Sequence, residues 1–303
     1  RTLRKKKVAM FMCYSGKGYF GMQRNPGYAT IERDLIDALA KAGVVTQDQA
    51  ESPGPKMQFQ RAARTDKGVS AAGQVCSLKI SVFKINEHLP EQIRILGIIP
   101  VTKGFDSKNS CNGRTYTYMV PTYAFTPVEM AIQRQVNIIL SSFVGTHNFH
   151  NYTSGKKPTD PSAHRYIISF KMGDAFIVDG IEFAVITIRG QSFMLHQIRK
   201  MIGVTIAIMR GYSSKSVLID AWGQDKCDIP RAPGLGLMLD KVHYDDYNKY
   251  YGNDGIHTKL DWEVYKDTVE DFKKKHIYST VVEGEKNDKS MMTWISTLLL
   301  HKF

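Results

Sequence analysis

One stretch of this 303-residue chain constrains its fold more than any other: residues 59–75, where apolar residues flank a short polar loop. Its sequence is FQRAARTDKGVSAAGQV, and the loop carries Asp66 between Arg64 and Lys67. The flanking residues predict two strands joined by this loop. Because neighbouring positive charge favours an ionised carboxylate, Asp66 is predicted to be charged and able to act as a nucleophile. Asp-Lys-Gly is also ordinary turn chemistry, which leaves a purely structural role open.

The residues before this stretch predict a strand, a glycine-rich loop and a helix. Residues 8–14 are apolar and of strand length. Residues 16–21 (GKGYFG) match the dinucleotide-binding pattern GxGxxG, which requires a helix to begin directly after it. The turn sequence Asn-Pro-Gly at 25–27 follows instead, and the helix is predicted to start after the N-cap Thr30 and to stop at Gly43. We therefore interpret residues 16–21 as a flexible loop that contacts phosphate.

The rest of the chain mixes strands with a few helices. Further strands are predicted to end near residue 80 and to cover 94–101, 114–120, 165–172, 181–189 and 235–242, with a helix over 129–143. Strands grouped in hairpins with a few helices predict an α+β fold rather than a doubly wound sheet. We expect two halves, 1–110 and 111–260, followed by an appended helical segment, 261–303.

A helix with two distinct faces is predicted between residues 192 and 211. Ser192 is the expected N-cap and Gly211 the expected end. Helical spacing places one apolar set on a buried face: Leu195, Ile198, Ile202, Ile206 and Met209. A second face carries His196, Arg199, Lys200 and Gly203, where the glycine permits close approach of another backbone. This cationic face suits either solvent or a charged ligand.

Two further sets of side chains leave alternatives open. Tyr116, Tyr118 and Val120 alternate, so they share one face of a strand. They suit a core, but a tyrosine hydroxyl at a strand edge also suits an acid, a base or a stacking platform. His147 and His150 lie in a loop with aromatic and amide residues, which suits RNA contacts. Zinc remains an alternative there, although no third ligand is identifiable.

Composition narrows the classes of partner. Lys and Arg total 41 against 29 acidic residues, a net charge of +12 that favours nucleic acid over a membrane. Four widely spaced cysteines predict neither a disulfide framework nor a Cys-rich zinc site, as suits a reducing compartment. No apolar run approaches the roughly 20 residues of a membrane helix. The sequence starts with RTLRKKK and lacks an initiator Met, so we expect that its start has been trimmed. This basic cluster suits a nuclear signal, an RNA-contacting arm or a solvated flank.

Several motifs occur in an order that resembles one enzyme family. Residues 63–71 (ARTDKGVSA) look like the catalytic-aspartate loop of the tRNA pseudouridine synthases related to TruA, particularly the eukaryotic branch. Residues 114–116 (RTY) resemble the family's Arg-x-Tyr motif, and residues 145–149 (GTHNF) its Gly-x-His-Asn-Phe motif. Residues 190–199 (GQSFMLHQIR) resemble Gly-x-Ser-Phe-x-x-His-Gln-x-Arg. The resemblance covers nearly the whole chain.

The resemblance implies an isomerase that converts uridine in tRNA to pseudouridine without a cofactor. In that family the matching residues make Asp66 the nucleophile, set Tyr116 against the target base for proton transfer, and pair Arg199 with the aspartate as a guanidinium fork. Arg64 would fill the stack that the flipped base leaves. Further RNA contacts are expected from Lys67, His147, Phe149, His196 and Lys200.

The family also implies two related α+β halves that share a central antiparallel sheet, with a basic cleft between them. It suggests uridines in the anticodon stem, mRNA as a further substrate, and a location in the nucleus or mitochondrion; the sequence does not indicate an oligomeric state. The links at 82–85 and 125–128 are short for this branch.

Two other functional classes compete with an isomerase. One is a non-catalytic RNA-binding or RNA-chaperone protein with the same fold. The other is a metal-dependent RNA hydrolase that uses His147, His150 and Asp66. The presence of Asp66, Tyr116 and Arg199 together favours the isomerase.

Overall fold

The protein folds into two compact units, each made of two separate stretches of chain. The structure, a computed structural model, describes residues 5–80, 85–125 and 132–302. Unit 1 comprises residues 1–114 and 238–279, and unit 2 comprises residues 115–237 and 280–303. No helix among the described residues is long and apolar enough to cross a membrane.

These units differ from the division expected from the sequence. The segment 261–303 is not one appended layer, because residues up to 279 belong to unit 1 and those from 280 onward to unit 2. Residues 1–4 of the basic start lie outside the described residues, as do 82–84 and 126–128 of the two short links.

Strands and helices alternate irregularly along the chain. The strands are β1 (Lys6–Tyr14), β2 (Gln60–Arg61), β3 (Ser70–Ile80), β4 (Ile93–Pro100), β5 (Gly113–Pro121), β6 (Gly145–Asn148), β7 (His164–Met172), β8 (Phe176–Val178), β9 (Ile181–Gly190) and β10 (Leu237–His243). The α-helices are α1 (Ile31–Lys41), α2 (Gln47–Glu51), α3 (Pro53–Met57), α4 (Ile132–Ser141), α5 (Gln197–Met209), α6 (Val217–Asp220), α7 (Asp245–Tyr251), α8 (Lys266–Phe272), α9 (Ser279–Asp288) and α10 (Ser290–Ser296), and a π-helical turn (Lys273–Tyr278) follows α8.

The sheet of unit 1 has the strand order β4–β1–β3–β10, with β2 paired to β3. Strand β1 is antiparallel to both neighbours. Strand β10 is parallel to β3, with Met238 opposite Ser70. Parallel neighbours need a long crossover, and here residues 81–236 separate the two strands. The expectation of a wholly antiparallel sheet is therefore wrong at this pair.

Strand β1 is the core of unit 1, because Val8 to Tyr14 are all at most 5% exposed. Phe11 stacks on Trp262, with ring centroids 4.7 Å apart. Tyr265 packs against Phe11 as well. Glycine at position 97 makes room for it, because a Cβ atom there would lie 2.6 Å from the Tyr265 ring. The segment expected to be an appended layer thus supplies aromatic rings to this core.

Helix α1 confirms the expected start and stop. The Thr30 side chain accepts a hydrogen bond from the amide of Arg33, and Ile31, Leu35 and Leu39 are fully buried. Gly43 follows the helix with φ of +69°. A left-handed residue just past a helix end favours glycine because it has no Cβ.

The sheet of unit 2 has the strand order β5–β9–β7–β6, with β8 paired to β9. Strand β7 is antiparallel to both β6 and β9. Helix α4, within the predicted range 129–143, buries Val136, Ile139 and Leu140. Each unit therefore combines one sheet with helices, and the α+β class is confirmed.

A nearly buried ion pair joins the π-helical turn to strand β10. The ammonium of Lys273 lies 2.7 Å from the carboxylates of both Asp240 and Glu270, and its side chain is 11% exposed. Burial acts to lower the pKa of Lys273, but Asp240 and Glu270 outweigh it and raise the pKa. Beside the pair, Cys13, Phe272 and Ile277 belong to one apolar cluster.

We expect Lys273→Met to lower the free energy of unfolding by about 2 kcal/mol, because it leaves the Asp240 carboxylate partly buried without its cation. The matched control is Lys266→Met, whose pair with Glu263 is largely exposed and 3.5 Å long. Lys266→Met should lower the free energy of unfolding by only about 0–1 kcal/mol. Denaturant unfolding of both variants at neutral pH measures the difference, and equal losses would contradict a special role for Lys273.

The pH dependence of this difference has a defined sign. Because the folded pKa of Lys273 is raised, its stabilisation is fully present below the ordinary lysine value of 10.5 and is lost only as the pH rises through the folded pKa. Repeating the unfolding at about pH 9 should therefore leave the difference between wild type and Lys273→Met unchanged.

Candidate active site

Asp66 lies in the loop between β2 and β3 of unit 1, where the sequence predicted it. Its side chain is half-buried, whereas Arg64 and Lys67 on either side are exposed. The amide of Val69 donates to the Asp66 carbonyl at 3.1 Å, and Gly68 takes a φ of +77° within this turn. A carboxylate is thus presented between two exposed cationic side chains.

A buried hydrogen-bond network fixes the chain just before Asp66. The Gln74 side chain donates to the Ala63 carbonyl at 2.9 Å and accepts from the Ala63 amide at 3.2 Å. It also donates to the Tyr14 hydroxyl at 3.3 Å, which lies 2.8 Å from the Thr65 hydroxyl. Because buried polar groups need partners, this network specifies one position for residues 63–65.

The glycine-rich loop 16–21 supports Asp66 from the other side. The Met22 amide donates to the Thr65 carbonyl at 3.0 Å, and the Gly68 amide donates to the Tyr19 carbonyl at 3.1 Å. A Cβ atom at Gly21 would lie 2.8 Å from the Thr65 carbonyl oxygen, too close for any other residue. Sequence reasoning missed this role, because the GxGxxG pattern says nothing about which segment its backbone contacts.

Arg114 of the Arg-Thr-Tyr motif also holds this stretch. Its Nε and Nη2 atoms donate to the Ala62 carbonyl at 3.0 and 2.6 Å. The Ala62 amide in turn donates to the Val75 carbonyl at 2.8 Å. The arginine of this motif is therefore a support for the chain that leads to Asp66, a role that the sequence did not suggest.

Tyr116 lies on β5 in unit 2 and is 7% exposed. Phe193 meets it edge to face, with ring centroids 5.4 Å apart. A Cβ atom at Gly190 would lie 2.7 Å from the Phe193 ring, so glycine makes room for this contact. The Gly-x-Ser-Phe motif thus packs against the tyrosine of the Arg-x-Tyr motif. Tyr118 and Val120 are buried on the same face, as their alternation predicted.

The helix that carries Arg199 begins later than predicted. Ser192 does not cap it; α5 starts at Gln197, after His196 in a left-handed conformation with φ of +62°. The Gln197 side chain instead accepts from the Met194 amide at 2.9 Å, which closes the preceding turn. Leu195 therefore lies outside the helix and is 53% exposed, so its assignment to the buried face is wrong.

Arg199 and Gly203 bring α5 against the segment 230–232. The Nε of Arg199 donates to the Ala232 carbonyl at 2.7 Å, and the Ala232 amide donates to the Arg199 carbonyl at 3.1 Å. A Cβ atom at Gly203 would lie 2.2 Å from the Pro230 carbonyl oxygen. The predicted close backbone approach at Gly203 is confirmed.

Tyr118 extends the contact with this segment. Its buried hydroxyl donates to the Pro233 carbonyl at 2.8 Å. Burial raises the pKa of Tyr118, although the Arg199 charge opposes the shift. The Tyr118 hydroxyl therefore stays protonated near neutral pH, as a donor to the segment that Arg199 also holds.

The His147 loop places its two imidazoles in different surroundings. The His147 ring stacks on Trp222 with centroids 4.2 Å apart. His150 is buried, its Nδ1 lies 3.3 Å from Asn148 Oδ1, and burial lowers its pKa. Within the described part of the chain, no three His, Cys, Asp or Glu side chains group as metal ligands.

The other side chains predicted to contact RNA differ in their exposure and in their neighbours. Phe149 is fully buried, so we correct its assignment as an RNA contact: it supports the loop from inside. Lys200 is half-buried, donates to the Asn151 carbonyl at 2.9 Å, and has its pKa lowered by burial. His196 lies 3.2 Å from the guanidinium of Arg231, a neighbour that the sequence did not reveal.

Comparisons with known proteins agree on one family. A family model described as tRNA pseudouridine synthase matches residues 139–245. The pseudouridylate synthase 1 homologs of Mus musculus and Homo sapiens are 50% and 51% identical, covering 100% and 98% of this chain and 76% and 74% of those proteins. The tRNA pseudouridine synthase 1 of Yarrowia lipolytica is 35% identical and covers 93% of this chain and 72% of that protein.

We expect Gly203→Ala to destabilise the protein, although glycine-to-alanine changes inside helices normally stabilise by about 0.5–1 kcal/mol. The added methyl group would displace the Pro230 backbone, at a cost of about 1–3 kcal/mol before that gain is subtracted. Gly104→Ala is the matched control, because a Cβ atom at Gly104 would meet nothing within 4 Å and its φ is not left-handed. Denaturant unfolding should show a lower free energy of unfolding for Gly203→Ala only. A Gly203→Ala variant more stable than wild type would contradict the close approach of Gly203 to Pro230.

Proposed function

The chain belongs to the tRNA pseudouridine synthase family, and we propose that it isomerises uridine in tRNA to pseudouridine with Asp66 as the nucleophile. The observation that carries this proposal is the Asp66 loop: a half-buried carboxylate between exposed Arg64 and Lys67, on backbone fixed from two sides. Positioning of this kind is what covalent catalysis requires of a nucleophile.

The reaction is an isomerisation, so its atoms balance without a co-reactant. The bond between C1′ of the ribose and N1 of uracil breaks, the base rotates, and a bond forms between C1′ and C5. The C5 proton is then released, and N1 gains a proton. Whether Asp66 first attacks C6 of the base or C1′ of the ribose stays open in this proposal.

We assign two supporting roles within unit 2. Tyr116 would stack on the base or take up its proton, and the edge contact with Phe193 supports this because it fixes the ring. Arg199 would hold Asp66 in place by pairing with its carboxylate. The helical position of Arg199 and its Nε contact with Ala232 support that role, since both restrain its guanidinium.

Enzymes that act on a base must take it out of the helical stack, at a cost of a few kcal/mol. We propose that Arg64, whose side chain is exposed beside Asp66, fills the space that the base leaves. The excess of 41 Lys and Arg over 29 Asp and Glu supports binding of the tRNA backbone. Lys67, His147, His196 and Lys200 remain proposed RNA contacts.

The substrate range and location are proposals that rest on the family alone. We propose uridines of the anticodon stem as the tRNA targets and mRNA as a second substrate. We propose the nucleus or the mitochondrion as the location.

The test is tritium release from tRNA that carries 5-tritiated uridine. Wild type should release tritium, and Asp66→Asn should lower the rate by about 10⁴-fold or more, because it removes the nucleophile. Asp37→Asn is the matched control: its ion pair with Arg33 is exposed and 3.9 Å long, so its rate should equal that of wild type.

The other outcomes point to different functions. Equal release by wild type and Asp66→Asn would keep the reaction but remove Asp66 from its role. Binding of tRNA without release would indicate an RNA-binding protein. Cleavage of the RNA that a chelator abolishes would indicate a metal-dependent hydrolase.

A further inference from the structure

Two aromatic side chains lie side by side on the surface of unit 1. Phe20 and Tyr28 are each 45% exposed, and their ring centroids are 4.7 Å apart at an interplanar angle of 44°. Single exposed apolar residues need no explanation, but adjacent exposed rings form a patch that suits a ligand with a flat apolar face.

This patch lies directly beside the Asp66 loop. The residues on either side of Phe20 and Gly21 are hydrogen-bonded to the loop, Met22 through its amide to Thr65 and Tyr19 through its carbonyl to Gly68. Phe20 therefore lies alongside the turn that presents Asp66. The Lys67 ammonium confirms this proximity, because it lies 4.3 Å from the centroid of the Phe20 ring.

The loop that carries the two rings is itself positively charged, although the Asp34 carboxylate accepts a hydrogen bond from the Tyr19 hydroxyl beside Phe20. Residues 15–29 include Lys17 and Arg24 and no Asp or Glu. Both of these side chains are exposed, as is that of Lys67. An aromatic surface among cations is complementary to a nucleotide, which combines a flat base with an anionic phosphate.

The two rings are held in place by the backbone between them. The Phe20 amide donates to the Ala29 carbonyl at 2.8 Å, and the Tyr28 amide donates to the Asn25 carbonyl at 3.1 Å. Gly27 supplies the left-handed conformation of this turn, with φ of +83°. Because the loop is already ordered, a ligand that stacks here pays little conformational entropy.

We propose that Phe20 and Tyr28 form a stacking platform for an unpaired base of the RNA substrate, adjacent to the uridine that Asp66 attacks. Lys17 and Lys67 bind the phosphate of that nucleotide. The proposal rests on the proposed function, since RNA is the partner that it names. Every base has a π-face, so the platform recognises an unstacked neighbour rather than a particular sequence.

The experiment compares Phe20→Leu, Phe20→Tyr and Tyr28→Leu with wild type in two assays: tritium release from 5-tritiated tRNA and equilibrium binding of the same tRNA. Loss of a ring should raise KM and Kd about 5- to 100-fold, with a smaller change in kcat. Phe20→Tyr keeps a stacking ring and should resemble wild type. Leucine retains apolar volume without a π-face, which separates stacking from packing.

Tyr250→Leu is the matched control. Tyr250 is 70% exposed in α7 of the same unit, and the Lys249 ammonium lies 5.9 Å from its ring centroid. This variant loses an exposed ring next to a lysine, and it should match wild type in both assays. Thermal unfolding of each variant identifies any change that arises from stability.

The two proposals fail in distinguishable ways. If wild type releases no tritium but Phe20→Leu weakens tRNA binding, the platform stands and the reaction is wrong. If wild type is active and Phe20→Leu has unchanged KM and Kd, the platform is overturned. Equal damage by Phe20→Tyr and Phe20→Leu would also overturn it.

Discussion

The buried amide of Gln74 is the interaction on which the Asp66 loop depends. It pairs with both backbone groups of Ala63 and with the Tyr14 hydroxyl, which in turn meets the Thr65 hydroxyl. Gln74 is fully buried, and without it the buried amide and carbonyl of Ala63 would lose these hydrogen bonds. A buried network of this kind has few alternatives, and it transmits the rigid geometry of β1 and β3 to the loop that presents Asp66.

In each unit, a glycine lets one backbone segment approach another closely. Gly21 admits the Thr65 carbonyl beside the Asp66 loop, and Gly203 admits Pro230 beside Arg199. In both cases the approach fixes a segment next to a proposed catalytic side chain. Catalysis gains from such positioning because the reacting groups need not be ordered during the reaction.

The sequence predicted what depends on local pattern and missed what depends on tertiary contacts. Strand β1 and the Thr30 cap followed from apolar runs and capping chemistry. The start of α5 was wrong, because Gln197 and a left-handed His196 replace the expected serine cap. The burial of Phe149 was missed as well, since a loop motif does not reveal which side of it faces the core. The loop at 16–21 was identified, but its partner segment was not.

The most direct test of the buried network is the rate constant of tritium release by Tyr14→Phe under single-turnover conditions. This variant keeps the ring and removes the hydroxyl that lies 2.8 Å from Thr65. We expect the rate constant to fall about 10-fold, with tRNA affinity unchanged and a stability loss of about 1 kcal/mol. A rate constant equal to that of wild type, with the stability loss observed, would show that the network does not position Asp66.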